Sequence, residues 1–443
     1  MLTREMKDSG VEWIGEIPKY WDLKRMKYIL TERKMKNDPI ITEEILSLSV
    51  ERGVFPYSEK TGGGNKAKTD LTAYKVAFPN DIVINSMNVL AGAVGLSRYK
   101  GAVSPVYYTL YDDTGKIDIN YYYYLFQTEA FQRSLLGLGN GIMMKESSTG
   151  KLNTIRMRIP MEKLFALRLP LPPKDIQNKI VEFIGTKVEA IDKIITNTKQ
   201  SIGELKKYRK TIITETVTKG IDATVQVKDS GIEVLGKINV NYNVIPLGYL
   251  GTLQNGISKS GEYFGEGYPF VSYGDVYNNR VLPFLVKGLV RSTKEEQNLY
   301  SVKKGDIFFT RTSEIIEEVG MASVCLSSIE QATFAGFLIR FRPNYDNQLI
   351  SEYARYYLES TFIRDFFAKE MNLVTRASLS QPLLKRLPII LPNLKEQKRI
   401  VSYLDIQTKR IDTLIQDKEK VIIELQKYKK SLTYEYVTGK KEV

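Results

Sequence analysis

Residues 172–218 read PPKDIQNKIVEFIGTKVEAIDKIITNTKQSIGELKKYRKTIITETVT, and residues 392–438 read PNLKEQKRIVSYLDIQTKRIDTLIQDKEKVIIELQKYKKSLTYEYVT. The two stretches align without a gap at a constant offset of 220. They share apolar positions and also polar ones, among them Gln177 with Gln397, Asp192 with Asp412, and Tyr208 with Tyr428. The chain is therefore predicted to contain one scaffold twice.

Each stretch has a seam of residues spaced alternately by four and three, which is the a/d register of a coiled coil. The seams are Ile184, Val188, Ile191, Ile195, Thr198, Ile202, Leu205, Arg209 and Ile212, and Leu404, Thr408, Ile411, Ile415, Lys418, Ile422, Leu425, Lys429 and Leu432. Each helix is predicted to run from near Asp175 or Lys395 to near Glu215 or Glu435, roughly 60 Å at 1.5 Å per residue.

An apolar seam is unfavourable in water, so the two helices are expected to pack on each other. A repeat with pseudo-two-fold symmetry requires that this packing be antiparallel. The alternative is that each helix packs on its own neighbouring domain.

A second repeat lies upstream of each helix. Lys7-Asp8-Ser9-Gly10, Glu12, Gly15 and Ile17 reappear as Lys228-Asp229-Ser230-Gly231, Glu233, Gly236 and Ile238. The second copy carries Val234 and Asn239 in place of Trp13 and Pro18. Packing or docking is therefore expected to be unequal on the two sides.

Two diverged inserts separate these repeats. In each one, short β-branched and aromatic runs alternate with Gly, Asn and Asp turns, and helical stretches follow around 120–136 and 348–368. The predicted fold class is α+β, with two globular α/β domains and two long helices that form an antiparallel coiled coil as a pseudo-two-fold internal repeat. The predicted bounds are 1–171 for the first domain, 172–218 for the first helix, 219–391 for the second domain and 392–443 for the second helix.

Composition restricts the chemistry. A net charge of +13 over 443 residues favours an anionic partner, with nucleic acid ahead of an acidic protein or a membrane surface. The chain has no histidine and one cysteine, Cys325, which excludes Ser-His-Asp catalysis and the usual zinc sites within it. The single cysteine fits a reducing cytosol, and no stretch is apolar enough to span a membrane, so a cytoplasmic location is expected.

The inserts share one visible strand and differ directly after it. Asp81-Ile82, Val94 and Gly95 match Asp306-Ile307, Val319 and Gly320, but the polar residues that follow differ. These residues are Asn85, Ser86 and Asn88 in the first insert and Arg311, Thr312 and Ser313 in the second. Asn and Arg make bidentate contacts to base edges and Ser and Thr contact either kind of base, so DNA contact is predicted here. The alternative is that these are turn residues that satisfy the strand end.

Further DNA contacts are predicted in three basic or hydroxyl-rich segments, because lysine and arginine bind phosphates. The residues are Lys66, Lys68, Arg98, Lys100, Thr375, Arg376 and Ser378. Charged clusters of this kind are more often solvated faces. The run Tyr121-Tyr122-Tyr123-Tyr124 is predicted to pack within a helix, because four consecutive residues point around a helix and not along one face.

The chain resembles the DNA specificity subunit of type I restriction-modification systems over nearly its whole length. The resemblance rests on the segment from Lys7 to Pro18 with Trp21, on Leu169-Pro170-Leu171-Pro172-Pro173 entering a long helix with Gln177, and on the segment from Gly305 to Ser313. It implies that each insert is a target recognition domain that reads one half of an asymmetric bipartite site. It also implies that the helices set the spacing and dock two modification (methyltransferase) subunits, with a restriction (translocase and nuclease) subunit joining them.

The same resemblance implies a chain that is not itself catalytic and holds no cofactor. The complex would have adenine methyltransferase and ATP-dependent endonuclease activity, and the partner subunits would use S-adenosylmethionine, ATP and Mg²⁺.

Two other functions are weighed against this one. A DNA-modifying enzyme is disfavoured because the chain has no Asn/Asp-Pro-Pro-Tyr/Phe step and no glycine fingerprint after a strand. Glu204-Leu205-Lys206 is better explained as a charged pair on a helix surface than as a nuclease motif. A coiled-coil assembly protein without sequence-specific DNA binding would leave the two diverged domains without a role.

Overall fold

The computed structural model describes residues 5–61, 67, 69–139, 145–146, 152–153, 158–222, 224–313, 318–344, 348–370 and 377–443. The chain forms two compact units, Met1–Thr198 with Lys420–Val443, and Lys199–Glu419. We call them the first and second units. Within them, residues 5–171 form the first head and residues 224–391 form the second head.

The first unit is mixed α and β. Its helices are Ile119–Phe126, Glu129–Ser134, Met161–Ala166 and the first part of the long helix Lys174–Lys219. Its strands are Met6–Asp8, Glu16–Pro18, Asp22–Arg25, Thr31–Glu32, Leu46–Ser49, Gly53–Pro56, Lys75–Ala77, Ile82–Asn85, Val94–Leu96, Gly101–Val103, Tyr107–Tyr111, Lys145–Glu146, Leu152–Asn153 and Arg168–Leu171.

The second unit has the same character. Its helices are Leu247–Leu250, Tyr273–Tyr277, Lys294–Leu299, Ser351–Tyr357, Thr361–Glu370, Gln381–Lys385 and the first part of the long helix Leu394–Val437. Its strands are Val227–Asp229, Lys237–Asn239, Asn243–Pro246, Gly251–Asn255, Phe264–Val271, Gly288–Val290, Ile307–Thr310, Thr312–Ser313, Ala322–Val324, Thr333–Phe334, Leu338–Pro343, Ala377–Ser378 and Pro388–Leu391. The α+β prediction is confirmed.

Each head is built on a four-stranded antiparallel sheet with the same topology. The strand order in the first head is Thr31–Glu32, Tyr107–Tyr111, Ile82–Asn85 and Val94–Leu96. The order in the second head is Gly251–Asn255, Leu338–Pro343, Ile307–Thr310 and Ala322–Val324. The weak kinship of the inserts in sequence is therefore a shared sheet in structure.

The central strand of each sheet is apolar because it lies between two cores. Successive side chains of a strand point to opposite faces. Ile82 and Ile84 lie in the core that packs on the helices, whereas Val83 lies in a smaller core with Leu46 and Val103. Ile307 and Phe309 alternate with Phe308 between two cores in the same way. A continuous apolar run is what such a doubly covered strand requires.

The two long helices, Lys174–Lys219 and Leu394–Val437, confirm the predicted helices to within a few residues. Every position of both predicted seams is buried or half-buried. The first turns of each helix also enter the core of a head, since Ile180 and Ile184 belong to the core of the first unit and Ile400 and Leu404 to that of the second. Both packing arrangements considered from the sequence are therefore used.

Within each unit the two helices run antiparallel. In the first unit, the rings of Phe183 and Tyr436 lie 4.6 Å apart, and Lys429 Nζ lies 2.7 Å from Asp192. Residue numbers that rise along one helix are thus matched by numbers that fall along the other. In the second unit, Arg209 bonds to Asp412, while Val217 shares a core with Ile400. The predicted antiparallel coiled coil is confirmed.

The repeated Lys-Asp-Ser-Gly segment forms a turn in each unit. Gly10 and Gly231 have φ values of +65° and +71°, which glycine adopts without steric cost. The preceding aspartate accepts a hydrogen bond from the glycine N–H at 2.9 Å in both copies. This turn joins two antiparallel strands, Met6–Asp8 with Glu16–Pro18 and Val227–Asp229 with Lys237–Asn239. The repeated motif therefore forms the same turn in both hairpins.

The expected difference between the two hairpins is confirmed for their packing. The Trp13 ring lies 5.7 Å from that of Phe131, and its carbonyl accepts a bond from the Tyr434 hydroxyl. In the second unit, Asn239 Nδ2 donates to the carbonyl of Lys219 at 2.9 Å and so satisfies the end of the first long helix. The first unit thus has an aromatic contact from Trp13 where the second has Val234, and the second has a polar cap from Asn239 where the first has Pro18.

A repeated glutamine joins each head to the start of a long helix. Gln177 is fully buried, donates to the carbonyl of Pro172 at 2.8 Å and accepts from the N–H of Asp118 at 2.9 Å. Gln397 is equally buried, donates to the carbonyls of Pro392 and Gln348, and accepts from the N–H of Ile350 at 3.1 Å. We call this arrangement the glutamine clamp.

The tyrosine run packs as predicted. It lies in the helix Ile119–Phe126, where Tyr121 and Tyr122 are fully buried. The Tyr121 hydroxyl donates to the carbonyl of Val437 at 2.6 Å. Burial raises the pKa of Tyr121 well above its ordinary value, so this hydroxyl stays protonated and remains a donor.

Across the described residues, no helix is both long and apolar enough to cross a bilayer.

Candidate nucleic-acid interface

In the first head, the predicted asparagines stand where the central strand Ile82–Asn85 ends. Asn85 is half-buried, and its Oδ1 accepts a bond from the N–H of Met87 at 3.0 Å. That bond fixes the amide without using its donor groups. Asn88 is exposed and starts the turn that leads back into the sheet. Both side chains are suited to pair with the edge of a base.

These asparagines line a cleft of about 430 Å³ together with Tyr57, Tyr107 and Lys60. The Lys60 ammonium lies 5.3 Å from the centre of the Tyr57 ring, and the Tyr57 hydroxyl accepts a bond from the N–H of Ala67. Burial, and then the neighbouring Tyr74, raise the pKa of Tyr107, so its phenol is neutral at physiological pH. Lys66 and Lys68 lie outside the described residues.

Ser86 does not present its side chain to solvent. It is fully buried, and its hydroxyl donates to the carbonyl of Val106 at 2.7 Å. The sequence predicts a DNA contact for Ser86, and the structure assigns this hydroxyl to holding the loop on the neighbouring strand. The alternative interpretation, a turn residue that satisfies the strand end, describes Ser86 correctly.

Arg98 and Lys100 lie at the opposite end of the same strand. Their loop is bonded to the residue before the strand Ile82–Asn85, since the N–H of Ser97 donates to the carbonyl of Asp81 at 2.8 Å. A strand of four residues spans about 13 Å at 3.3 Å per residue, so this loop and Asn85 occupy separate ends of the sheet. Arg98 and Lys100 are exposed, and Lys100 lies over the Phe78 ring at 5.6 Å. One small contact surface cannot include both groups.

In the second head, the structure brings the predicted segments together. Thr312 pairs with Ser378, and Ser313 pairs with Ala377, in a short antiparallel ladder. The N–H of Leu379 donates to the carbonyl of Arg311 at 2.7 Å. Arg311 and Thr312 are half-buried and Ser378 is exposed. Two runs that are more than 60 residues apart in sequence therefore form one surface. Thr375 and Arg376 lie outside the described residues.

Aromatic residues border this surface. The Tyr273 hydroxyl donates to the carbonyl of Thr312 at 3.0 Å, and the Tyr273 ring stacks on Tyr277. Phe337, whose carbonyl accepts a bond from the N–H of Arg311, is 66% exposed. An exposed phenylalanine beside an arginine can contact a thymine methyl group or a base face. No pattern in the sequence marks Phe337, because it directly precedes the apolar strand Leu338–Pro343.

A buried aspartate–arginine pair anchors the other end of each central strand. Asp81 and Asp306 are each 1% exposed. Arg33 holds Asp81 through Nε at 2.8 Å and Nη2 at 3.0 Å, and Arg342 holds Asp306 through two bonds of 2.6 Å. Their charges are neutralised where they lie, so these carboxylates serve the fold. The described residues contain no group of three His, Cys, Asp or Glu able to hold a metal ion.

The long helices carry matching exposed apolar residues outside their seams. Ile194 and Leu414, 220 residues apart, are 49% and 51% exposed. Tyr208 and Tyr428 are 56% and 53% exposed. Residues of this kind that recur at the same positions of a repeat indicate a contact surface present twice.

Residues 239–424 match the family model described as the type I restriction modification DNA specificity domain. Over these residues the chain is similar to this family. The MjaVIII specificity subunit of Methanocaldococcus jannaschii, a type I restriction enzyme, is 24% identical over 436 residues, which cover 96% of this chain and 93% of that protein. The putative MjaX specificity subunit of the same organism is 25% identical over 452 residues, covering 96% and 95%.

Solved structures agree with this family in fold. A chain from a study of complex assembly and conformational transition of the type I R-M system has a TM-score of 0.71 at 14% identity, with 95% of this chain and 98% of that one covered. The HsdS subunit from Thermoanaerobacter tengcongensis has a TM-score of 0.54 at 14% identity, covering 96% and 98%. This chain therefore shares its fold with these solved structures.

Proposed function

We propose that this chain is the sequence-specific DNA recognition subunit of a type I restriction-modification complex. Each head reads one half of an asymmetric bipartite site, and the long helices set the spacing between the halves. The observation that carries this proposal is the pair of matched strand ends. The same sheet presents Asn85 and Asn88 in the first head and Arg311 and Thr312 in the second. One framework with two different sets of base-pairing groups fits two different half-sites.

The repeated scaffold supports two identical partners. The glutamine clamp, the helix–helix ion pair and the exposed positions Ile194/Leu414 and Tyr208/Tyr428 each occur twice. We assign to this duplicated surface two copies of a modification (methyltransferase) subunit, with a restriction subunit joining the complex. The net charge of +13 fits double-stranded DNA as the further partner.

The chain itself, in this proposal, performs no reaction and holds no cofactor. Adenine methylation and ATP-dependent cleavage belong to the partner subunits, which supply S-adenosylmethionine, ATP and Mg²⁺ chemistry. The buried carboxylates of both heads support this division of labour, because each is neutralised by an arginine. We also propose that the complex acts in the cytoplasm.

The test is to map methylated adenines across the genome of cells that carry this chain with its partner subunits. Cells that carry the partner subunits alone serve as the control. The expected result is one motif made of two unlike half-sites separated by a fixed gap, present only with this chain. Purified chain that methylates or cuts DNA on its own would contradict the proposal. So would DNA binding that shows no base preference and only weakens as salt rises.

A further inference from the structure

The two heads share one backbone contact at the end of the central strand. In the first head, the N–H of Ile159 donates to the carbonyl of Ser86 at 3.0 Å. In the second head, the N–H of Leu379 donates to the carbonyl of Arg311 at 2.7 Å. Ile159 and Leu379 are both fully buried and are 220 residues apart. Ser86 and Arg311 are therefore equivalent positions.

The residues that precede the two N–H donors are equivalent as well. Between the two heads, serine and arginine exchange places across this hydrogen bond. Arg158 precedes Ile159, and Ser378 precedes Leu379; both are exposed. The first head thus has serine after the strand and arginine on the opposing segment. The second head has arginine after the strand and serine on the opposing segment. Each head thus has one arginine next to this backbone hydrogen bond, Arg158 on the donor segment and Arg311 on the acceptor segment.

Burial explains one side of this exchange, the serine at position 86. Ser86 is enclosed and donates to the carbonyl of Val106, so a larger side chain does not fit at that position of the first head. In the second head the equivalent carbonyl, that of Phe337, accepts from the backbone N–H of Arg311. The Arg311 side chain does not make this bond, and Arg311 is half-exposed. The burial of Ser86 therefore accounts for the absence of an arginine at this position of the first head.

We propose that Arg158 in the first head and Arg311 in the second each read a guanine in the half-site bound by that head. The inference rests on the proposed function and deepens it by naming the reading residue. Arginine forms a planar fork that matches O6 and N7 of guanine, and it is the side chain most often used for this base. The neighbours suit base contact, with Asn85 and Asn88 near the strand end of the first head and Thr312 and Phe337 beside Arg311 in the second.

The experiment compares the assembled complex carrying the wild-type chain, Arg158→Ala or Arg311→Ala. Binding is measured to a panel of duplexes in which each position of the motif is replaced in turn. Each variant should lose discrimination at one guanine of one half-site, by roughly 5- to 150-fold. The other half-site and the gap should keep their wild-type preferences, which also shows that the complex is assembled.

Arg158→Lys and Arg311→Lys keep the charge without the planar fork, so they are expected to relax the same single position. If an alanine variant fails to fold, the lysine variant at the same position provides the test. Lys116→Ala and Lys304→Ala remove exposed charges near the opposite end of each sheet and should leave the preference at every position unchanged. If the wild-type complex shows no base preference, the proposed function fails. If it prefers a bipartite site and the arginine variants keep every preference, or lose binding equally on all duplexes, this inference alone is overturned.

Discussion

Asp192 and Lys429 form in the first unit the ion pair that Asp412 and Arg209 form in the second, with both partners shifted by 220 residues. Lys429 Nζ lies 2.7 Å from the Asp192 carboxylate, and Arg209 Nε lies 3.1 Å from that of Asp412. The second copy has an addition, because Arg209 also reaches Glu359, whose side chain is 9% exposed, at 2.6 Å. Burial works to lower the pKa of Arg209, but Glu359 and then Asp412 outweigh it and raise that pKa.

Replacing the two cations should therefore have unequal effects. Arg209→Ala leaves the Glu359 carboxylate buried without its partner and should lower the free energy of unfolding by about 1–3 kcal/mol. Lys429→Ala removes a largely exposed pair and should cost less than about 1 kcal/mol. Urea unfolding of both variants beside the wild type checks this. Equal losses would show that the bond to Glu359 contributes nothing.

The glutamine clamp predicts a loss that is confined to one unit. Gln177→Ala removes two buried hydrogen bonds in the first unit and Gln397→Ala removes three in the second, each at about 1 kcal/mol or more. Hydrogen exchange should rise around Asp118 in one variant and around Ile350 in the other. Gln200→Ala, an exposed position of the first long helix, is the matched control. A rise spread over both units would count against the local role.

Tyr208 and Tyr428 are predicted to contribute equally to partner docking. The complex of the Tyr208→Ala chain should contain one tightly bound modification subunit, and so should that of Tyr428→Ala. The double variant should lose both, because each exposed ring supplies apolar area to one copy of the same surface. Native mass spectrometry gives the subunit count. A single variant that loses both copies would mean that the two surfaces are not independent.

Helix length is predicted to govern the gap of the DNA site and nothing else. One heptad inserted at the same place in both long helices keeps the seams in register and lengthens each helix by about 10 Å. Mapped methylation should then show both original half-sites with an altered gap. Altered half-site sequences would refute the role of the helices in spacing.

Cys325 should be inert in the folded chain. It is 1% exposed, and its Sγ donates to the carbonyl of Ser327. Burial, and then the nearby Asp306, raise the pKa of this thiol to about 12. A raised pKa favours the folded state below the ordinary thiol pKa, and this contribution is lost as the pH rises toward 12. An alkylating reagent at pH 8 should label the chain only in denaturant; rapid labelling without it would contradict this placement.

The regular parts of the molecule could be predicted because their signals are local or repeated. The heptad spacing from Ile184 to Ile212 defines a helix and its buried side by itself, and the copy at 404–432 supplies a partner of equal length. The tyrosine run was read correctly because consecutive residues cannot share one face of a helix.

The corner that contains Arg158 was not predicted, because it joins segments that are distant in sequence. Ser86 and Ile159 meet only once the sheet has formed. Arg158 could have been found by extending the offset of 220 upstream of Pro172, where Ile159, Leu164 and Leu169 match Leu379, Leu384 and Ile389. The burial of Ser86 has no such signal, since a serine after a strand looks the same whether its hydroxyl faces water or a carbonyl.

The glutamine clamp has a consequence for how new specificities arise. All of its bonds go to main-chain atoms, those of Asp118, Pro172, Gln348, Ile350 and Pro392. The clamp thus recognises the path of the backbone of the head and not its side chains. If recombination replaced a head with another of the same topology, the two glutamines could make the same bonds to the new backbone without being substituted themselves.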